Sequence, residues 1–168
     1  GSMLNRLLRL AVVPMLLVIA SPLLAGPPWI TIEYPGNPFD QQVRDAFLVV
    51  HAFHHNTPVG LPVSGTAEGV VNGKRRTITL QFQPLRREGT FALTKQWPDE
   101  GRWLLALHVT QGEGEWNTAT ALVRLASDGS VTSTKVPSKA GDRGMRLPVA
   151  VSKADVEAAL AAMVASRQ

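Results

Sequence analysis

Between Pro28 and Pro137 the chain is written in short segments whose side chains alternate apolar and polar, separated by tight-turn residues at intervals of about ten. That spacing leaves no room for a helix between successive segments, so neighbours must run antiparallel. Eight segments carry the pattern. Segment 29–34 puts Ile30, Ile32 and Tyr34 on one face, and 46–53 is almost wholly apolar, as expected of a strand covered on both sides. Segment 63–71 leads into Asn72-Gly73, the strongest two-residue hairpin signal, and 76–82 returns with Ile78, Leu80 and Phe82 inward. Segment 90–95 offers Phe91 and Leu93 on one face. Segment 102–110 follows the Pro98-Asp99-Glu100-Gly101 turn and alternates through Trp103, Leu105, Leu107 and Val109. Segments 118–125 and 131–136 flank a second hairpin turn, Ser127-Asp128-Gly129. The expected fold is all-β, an antiparallel sandwich of about seven or eight strands with Trp103 as its central tryptophan.

The two ends depart from this pattern. Gly1-Ser2 ahead of Met3 reads as a cloning scar. Arg6 and Arg9 then precede an uncharged run from Leu10 to Ile32, with an apolar stretch over 10–19 followed by small and turn-forming residues. That is the order of a secretory signal, with Ala20 and Ala25 as candidate cleavage points. The alternative is an uncleaved anchor over 4–24, which approaches the roughly 20 apolar residues needed to cross a bilayer, interrupted by Pro14 and Pro22. Both readings put the domain outside the cytoplasm, periplasmic or membrane-anchored facing the periplasm. At the other end Ser152 and Asp155 have capping-box spacing, and Val156, Leu160, Met163 and Val164 recur at helical spacing. The expected division is a leader or anchor over 1–26, the sandwich over 27–137, a polar, Gly-containing linker over 138–151, and a C-terminal amphipathic helix over 152–168. The helical stripe packs either on the domain or on a partner.

Composition excludes several functions. Of 168 residues 45% are hydrophobic and 18% charged, too apolar and too weakly charged for a disordered chain. The absence of Cys excludes a disulfide scaffold, an iron–sulfur protein, a thiol enzyme and a Cys-based zinc site. Lys and Arg number 17 against 13 acids, a formal +4. Arg6 and Arg9 belong to the export segment, and without them 15 bases oppose 13 acids, leaving +2. No stacking aromatics accompany the remaining basic runs, so nucleic acid is not an expected partner.

Two stretches carry a resemblance. Phe47-Leu48-Val49-Val50 followed by Thr57-Pro58-Val59, and Gly89-Thr90-Phe91-Ala92-Leu93 followed by Pro98-Asp99-Glu100-Gly101-Arg102-Trp103-Leu104-Leu105, resemble bacterial extracytoplasmic immunoglobulin-like modules. The periplasmic YtkA/FixH type and the copper-resistance CopC type share that layout, here over residues 29–136. The resemblance implies an immunoglobulin-like sandwich, and the CopC type would imply copper. The mature chain, beginning near Gly26-Pro27-Pro28-Trp29, lacks the N-terminal His with which the copper family usually starts.

The histidines are the candidate metal ligands, since imidazole suits copper and zinc. His51 and His55 stand about 13 Å apart along an ideal strand and share a face, while His54 points the other way. They can chelate one ion only if the chain turns at His54-His55-Asn56. The candidate set is therefore His54, His55 and His108, with His54 and His108 the better pair; Met145, the only thioether outside the helical segments, lies in a distant loop. Solvated or hydrogen-bonded histidines at a strand end are the alternative. No Gly-x-Ser-x-Gly elbow, His-Glu-x-x-His or Ser-x-x-Lys set is present, so no catalytic residues are expected. Lys74, Arg75, Arg76 and the turn residue Trp116 are candidate partner contacts; the basic run equally suits a device that keeps an edge strand from pairing. The expected function is an exported, non-enzymatic binding or assembly module of the bacterial cell envelope, with no cofactor and another envelope protein as partner. The alternative is a periplasmic copper- or zinc-binding protein.

Overall fold

Local alternation becomes two antiparallel sheets in the computed structural model, which describes residues 26–113 and 115–166. In chain order the strands are β1 (Pro28–Glu33), β2 (Leu48–His54), β3 (Thr57–Pro58), β4 (Val63–Val71), β5 (Lys74–Thr79) and β6 (Gln83–Pro84). They continue with β7 (Thr90–Leu93), β8 (Arg102–Thr110), β9 (Thr118–Leu125), β10 (Val131–Lys135), β11 (Ser138–Ala140) and β12 (Arg146–Pro148). One α-helix, α1 (Lys153–Ala165), follows. The first sheet runs β1-β2-β7-β6 with β3 paired to β2, and the second runs β10-β9-β8-β4-β5. All eight sequence-expected segments are strands, with ends shifted by up to a few residues.

The sheets meet through the apolar half of each alternation. Ile30, Leu48, Val50, Ala52 and Leu93 of the first sheet pack with Ala67, Trp103, Leu105, Leu107, Val109, Ala119, Ala121 and Val123 of the second. Burial of this set is the main driving force holding the two layers together. Trp103 is buried at its centre and donates Nε1–H to the Glu100 carbonyl oxygen at 2.9 Å, tying the ring to the turn that precedes its strand. The ring lies against Gly69 on β4, where a Cβ would come within 2.4 Å of Trp103 Cε3. Asn72 (φ +50°) and Gly73 (φ +75°) close the β4–β5 hairpin, the positive-φ pair that a two-residue turn of this hand requires.

The structure departs from the sequence expectation at two places and decides a third that was open. The stretch 138–151, read as a linker, contains a hairpin of its own, β11 paired to β12, whose base is closed by a hydrogen bond from the Val149 amide to the Pro137 carbonyl oxygen at 2.9 Å. Three-residue strands carry too little periodicity to be read in sequence. The turn at His54-His55-Asn56, left open in sequence, is present: His55 and Asn56 are both at positive φ (+48° and +60°) and join β2 to β3. Finally, the helix stripe is shifted. Leu160 and Met163 are buried against Leu104, with Val156 and Ala159 beside them, whereas Val164 is 42% exposed. At about 100° per residue Val164 lies a quarter-turn round the helix from Met163 and Ala159 takes the facing position. The capping box is present: Ser152 Oγ accepts from the Asp155 amide at 3.1 Å and the Asp155 carboxylate accepts from the Ser152 amide at 2.8 Å.

The export or anchor segment expected over residues 1–26 lies, up to residue 25, outside the described residues. Among the described residues no helix is long and apolar enough to cross a membrane.

Candidate functional site

Strand pleating sends the other half of each alternation to the outer face of the second sheet. There β4 presents Ser64, Thr66 and Glu68, β8 presents Leu104, Ala106, His108 and Thr110, and β9 presents Thr118, Thr120 and Leu122. The register sets Ser64 and Thr120 opposite His108 on its two sides, and Thr118 opposite Thr110. Leu104 and Leu122 lie under α1. The hydroxyl-bearing half is not covered by the helix, and the segment 150–152 that leads into α1 passes beside His108. Two open lobes result. One, about 520 Å³, lies among Ser64, His108, Thr110, Thr118, Thr120 and residues 150–152. The other, about 590 Å³, extends over Thr66, Ala106, Glu68, Arg75 and Thr77 to Val156 and Glu157, and shares His108, Val151 and Ser152 with the first.

His108 sits where the lobes join. Its Nδ1 is 2.8 Å from Thr120 Oγ1, and Nε2 has no hydrogen-bond partner among the described residues. Burial pushes its pKa down from 6.5, which keeps the imidazole neutral at ordinary pH. The charged corner of the groove is internally balanced. Glu68 is nearly buried; burial alone would raise its pKa, but hydrogen bonds from Thr77 Oγ1 (2.7 Å), Thr66 Oγ1 (2.7 Å) and Arg75 Nη2 (2.5 Å) outweigh that and leave it lowered. Arg75 donates Nε–H to Glu157 Oε1 on α1 at 3.0 Å. The contact with Glu157, opposed by burial and reinforced by Glu68, holds the guanidinium charged with its pKa raised. Glu157 is lowered in turn by its hydrogen bond from Arg75.

The residues singled out in sequence fall in several places. His54 and His55 come together at the β2–β3 turn, ring centroids 4.3 Å apart and nearly perpendicular, with His54 Nδ1 2.8 Å from Gln111 Oε1. His54 has the strand parity of the inward Val50 and Ala52, whereas His108 faces outward from the other sheet, so the two do not form a pair. Among the described residues no three His, Asp or Glu side chains are grouped so as to hold one metal ion. Met145 is not distant: it lines a cleft of about 360 Å³ with His55, Asn56, Gly26 and Trp29, brought there by the β11–β12 hairpin. Lys74 and Arg76 are exposed on the edge strand β5, while Arg75 between them is engaged with Glu68 and Glu157. Trp116 is 54% exposed in the short turn Glu115–Asn117.

Sequence reading missed Ser64, Thr66, Thr110, Thr118 and Thr120. The available signal was their position, since each falls on the outward parity of a strand whose inward residues are core. The chain matches no protein-family model, no curated protein and no solved structure. The functional reading therefore rests on the geometry and the sequence.

Proposed function

We propose that the chain is an exported, non-catalytic binding module of the bacterial cell envelope, built on an immunoglobulin-like sandwich and taking its ligand in the groove around His108. The observation that carries this reading is the groove itself: an open, hydroxyl-lined recess on a rigid sheet, roofed at one side by the lead-in to α1. The chemistry around His108 favours binding over catalysis. Its hydrogen-bond partner is Thr120, not a carboxylate that would orient a general base. Export is supported by the basic and then apolar order of the first 25 residues. The test is capture from envelope extract. Wild-type protein retains an envelope component, and Ala106→Trp, which fills the groove floor, releases it. Equal retention by both proteins would move the binding surface elsewhere, and no retained component would remove the reading.

A second reading, a copper or zinc site, is favoured by one observation. His55 and Met145 share a cleft, with the His54 ring against His55. An imidazole beside a thioether suits Cu(I) better than zinc. Competition against a Cu(I) chelator tests it: Met145→Leu and His55→Ala must each weaken binding, and the reading fails if the protein takes no copper from the chelator.

A further inference from the structure

The groove limits the class of ligand it can take, and the inference below rests on the binding reading just given. Its charges cancel: Glu68 and Glu157 oppose Arg75 and Lys153, and Arg75 is spent on both acids. Lys153 borders only the second lobe; the lobe around Ser64, His108 and Thr120 is lined by no Asp, Glu, Lys or Arg side chain and so holds no fixed charge to recognise an anion or a cation. The backbone at the centre of its floor is also spent, because β8 is laddered on one side by β4 and on the other by β9 over residues 104–109, whereas β10 pairs only with residues 122–125 of β9 and β5 only with residues 66–71 of β4. An extended peptide docks by completing the ladder of an edge strand, and the strand that carries His108 offers no edge.

What the floor does offer is side-chain hydroxyls in rows. Ser64, Thr110 and Thr118 surround His108 on three strands, while Thr120 is buried beside the ring with its hydroxyl 2.8 Å from His108 Nδ1 and orients it. Each hydroxyl donates one hydrogen bond and accepts others, and the free ring nitrogen of His108 adds one more polar contact. The matching ligand is uncharged and carries groups that also donate and accept at once. The threonine methyls, Ala150 and Val151 supply apolar contact for its C–H faces. At about 520 Å³ the lobe lies within the range of small-ligand sites, about 300–1,000 Å³. We infer that the lobe at the junction of Ser64, His108 and Thr120 is a subsite for a neutral, polyhydroxylated ligand, a short uncharged saccharide. The site has no aromatic platform, so its affinity is in the millimolar class, set by hydrogen bonds that water also satisfies.

The experiment is a titration of ¹⁵N-labelled protein followed by two-dimensional NMR. The probes are maltotriose, cellotriose and triacetylchitotriose, with inorganic phosphate and a neutral, extended hexapeptide as contrasting arms. The expected result is saturable shifts from at least one saccharide, confined to amides of β4, β8, β9 and residues 150–152 and insensitive to added salt. Ser64→Ala and Thr120→Val each reduce the shifts severalfold; Ser64 is exposed, so its variant leaves the fold intact and the test valid if Thr120→Val unfolds. Saturable shifts with phosphate or the peptide alone, shifts confined to another face, or no shift with any saccharide at tens of millimolar would overturn the inference. The two readings fail separately. An envelope component retained through the groove without a saccharide shift sinks the ligand class alone, and loss of both results sinks the binding module as well.

Discussion

Arg75 on the edge strand β5 donates its Nε–H to Glu157 on α1 at 3.0 Å, while its Nη2 reaches Glu68 on β4 at 2.5 Å. One guanidinium thus joins the helix to the outer face of the sheet and neutralises a nearly buried carboxylate. Removing it strands that carboxylate. Arg75→Met is expected to destabilise the protein by about 3 kcal/mol, the low end for orphaning a buried charge, because Thr66 and Thr77 still hold Glu68. Glu157→Gln leaves the Glu68 contact in place and is expected to cost much less. Urea midpoints at constant m-value check the ranking.

Gly69 lies under the Trp103 ring. Gly69→Ala puts a methyl 2.4 Å from Cε3, and because Trp103 is packed on its other side and tied to Glu100, the ring has nowhere to move. A loss of about 2–3 kcal/mol is expected from such overpacking. Trp103→Phe in the same chain should recover part of it, so the double variant is less destabilised than the sum of the singles. Additive losses in thermal unfolding would show that the two side chains do not share this space.

Acid should weaken the protein in two steps. Burial keeps the His108 pKa below 6.5 in the folded state, so on acidification the unfolded chain takes up the proton first. The stability of the neutral imidazole is complete above about pH 6.5 and declines as pH falls through the window below it. Glu68 and Glu157, both held low, and Arg75, held high, border the same groove and stay charged across that window; Lys153 lies beside them. His108→Gln is expected to flatten the decline that begins below about pH 6.5. Glu68 acts lower: its pKa is held under 4.5, so its contribution is present above that value and is lost as pH falls through the folded one.

The start of α1 depends on a single cap. Ser152→Ala removes the acceptor for the Asp155 amide and is expected to cost about 1 kcal/mol. Since Ser152 also borders the groove, fraying there should be visible as faster amide exchange over the first turn of α1. Unchanged exchange would mean that the lead-in, and not the cap, holds the helix start.

The eight main strands were legible because alternation and turn dipeptides are local signals: Asn72-Gly73 announces its hairpin in two residues. The turn at His54-His55-Asn56 could be read only as a possibility, because a positive φ at a histidine leaves no compositional trace. Arg75 read as one of three equivalent surface bases, and only the contact with Glu157, far along the chain, separates it from Lys74 and Arg76. Met145 came to His55 through a hairpin too short to have a period. The groove was hidden for a different reason. Ser64, Thr118 and Thr120 look like ordinary solvent-facing residues until strand register sets them round His108 and the segment 150–152 roofs them.

The hydrogen bond from the Val149 amide to the Pro137 carbonyl oxygen joins the two ends of the β11–β12 hairpin, so the hairpin leaves and rejoins the domain side by side. Its tip, Asp142–Gly144, is exposed, whereas Met145 lines the cleft with His55 and Pro148 is buried, which makes the tip, and not the whole hairpin, the natural site for displaying a foreign peptide or a label on this scaffold.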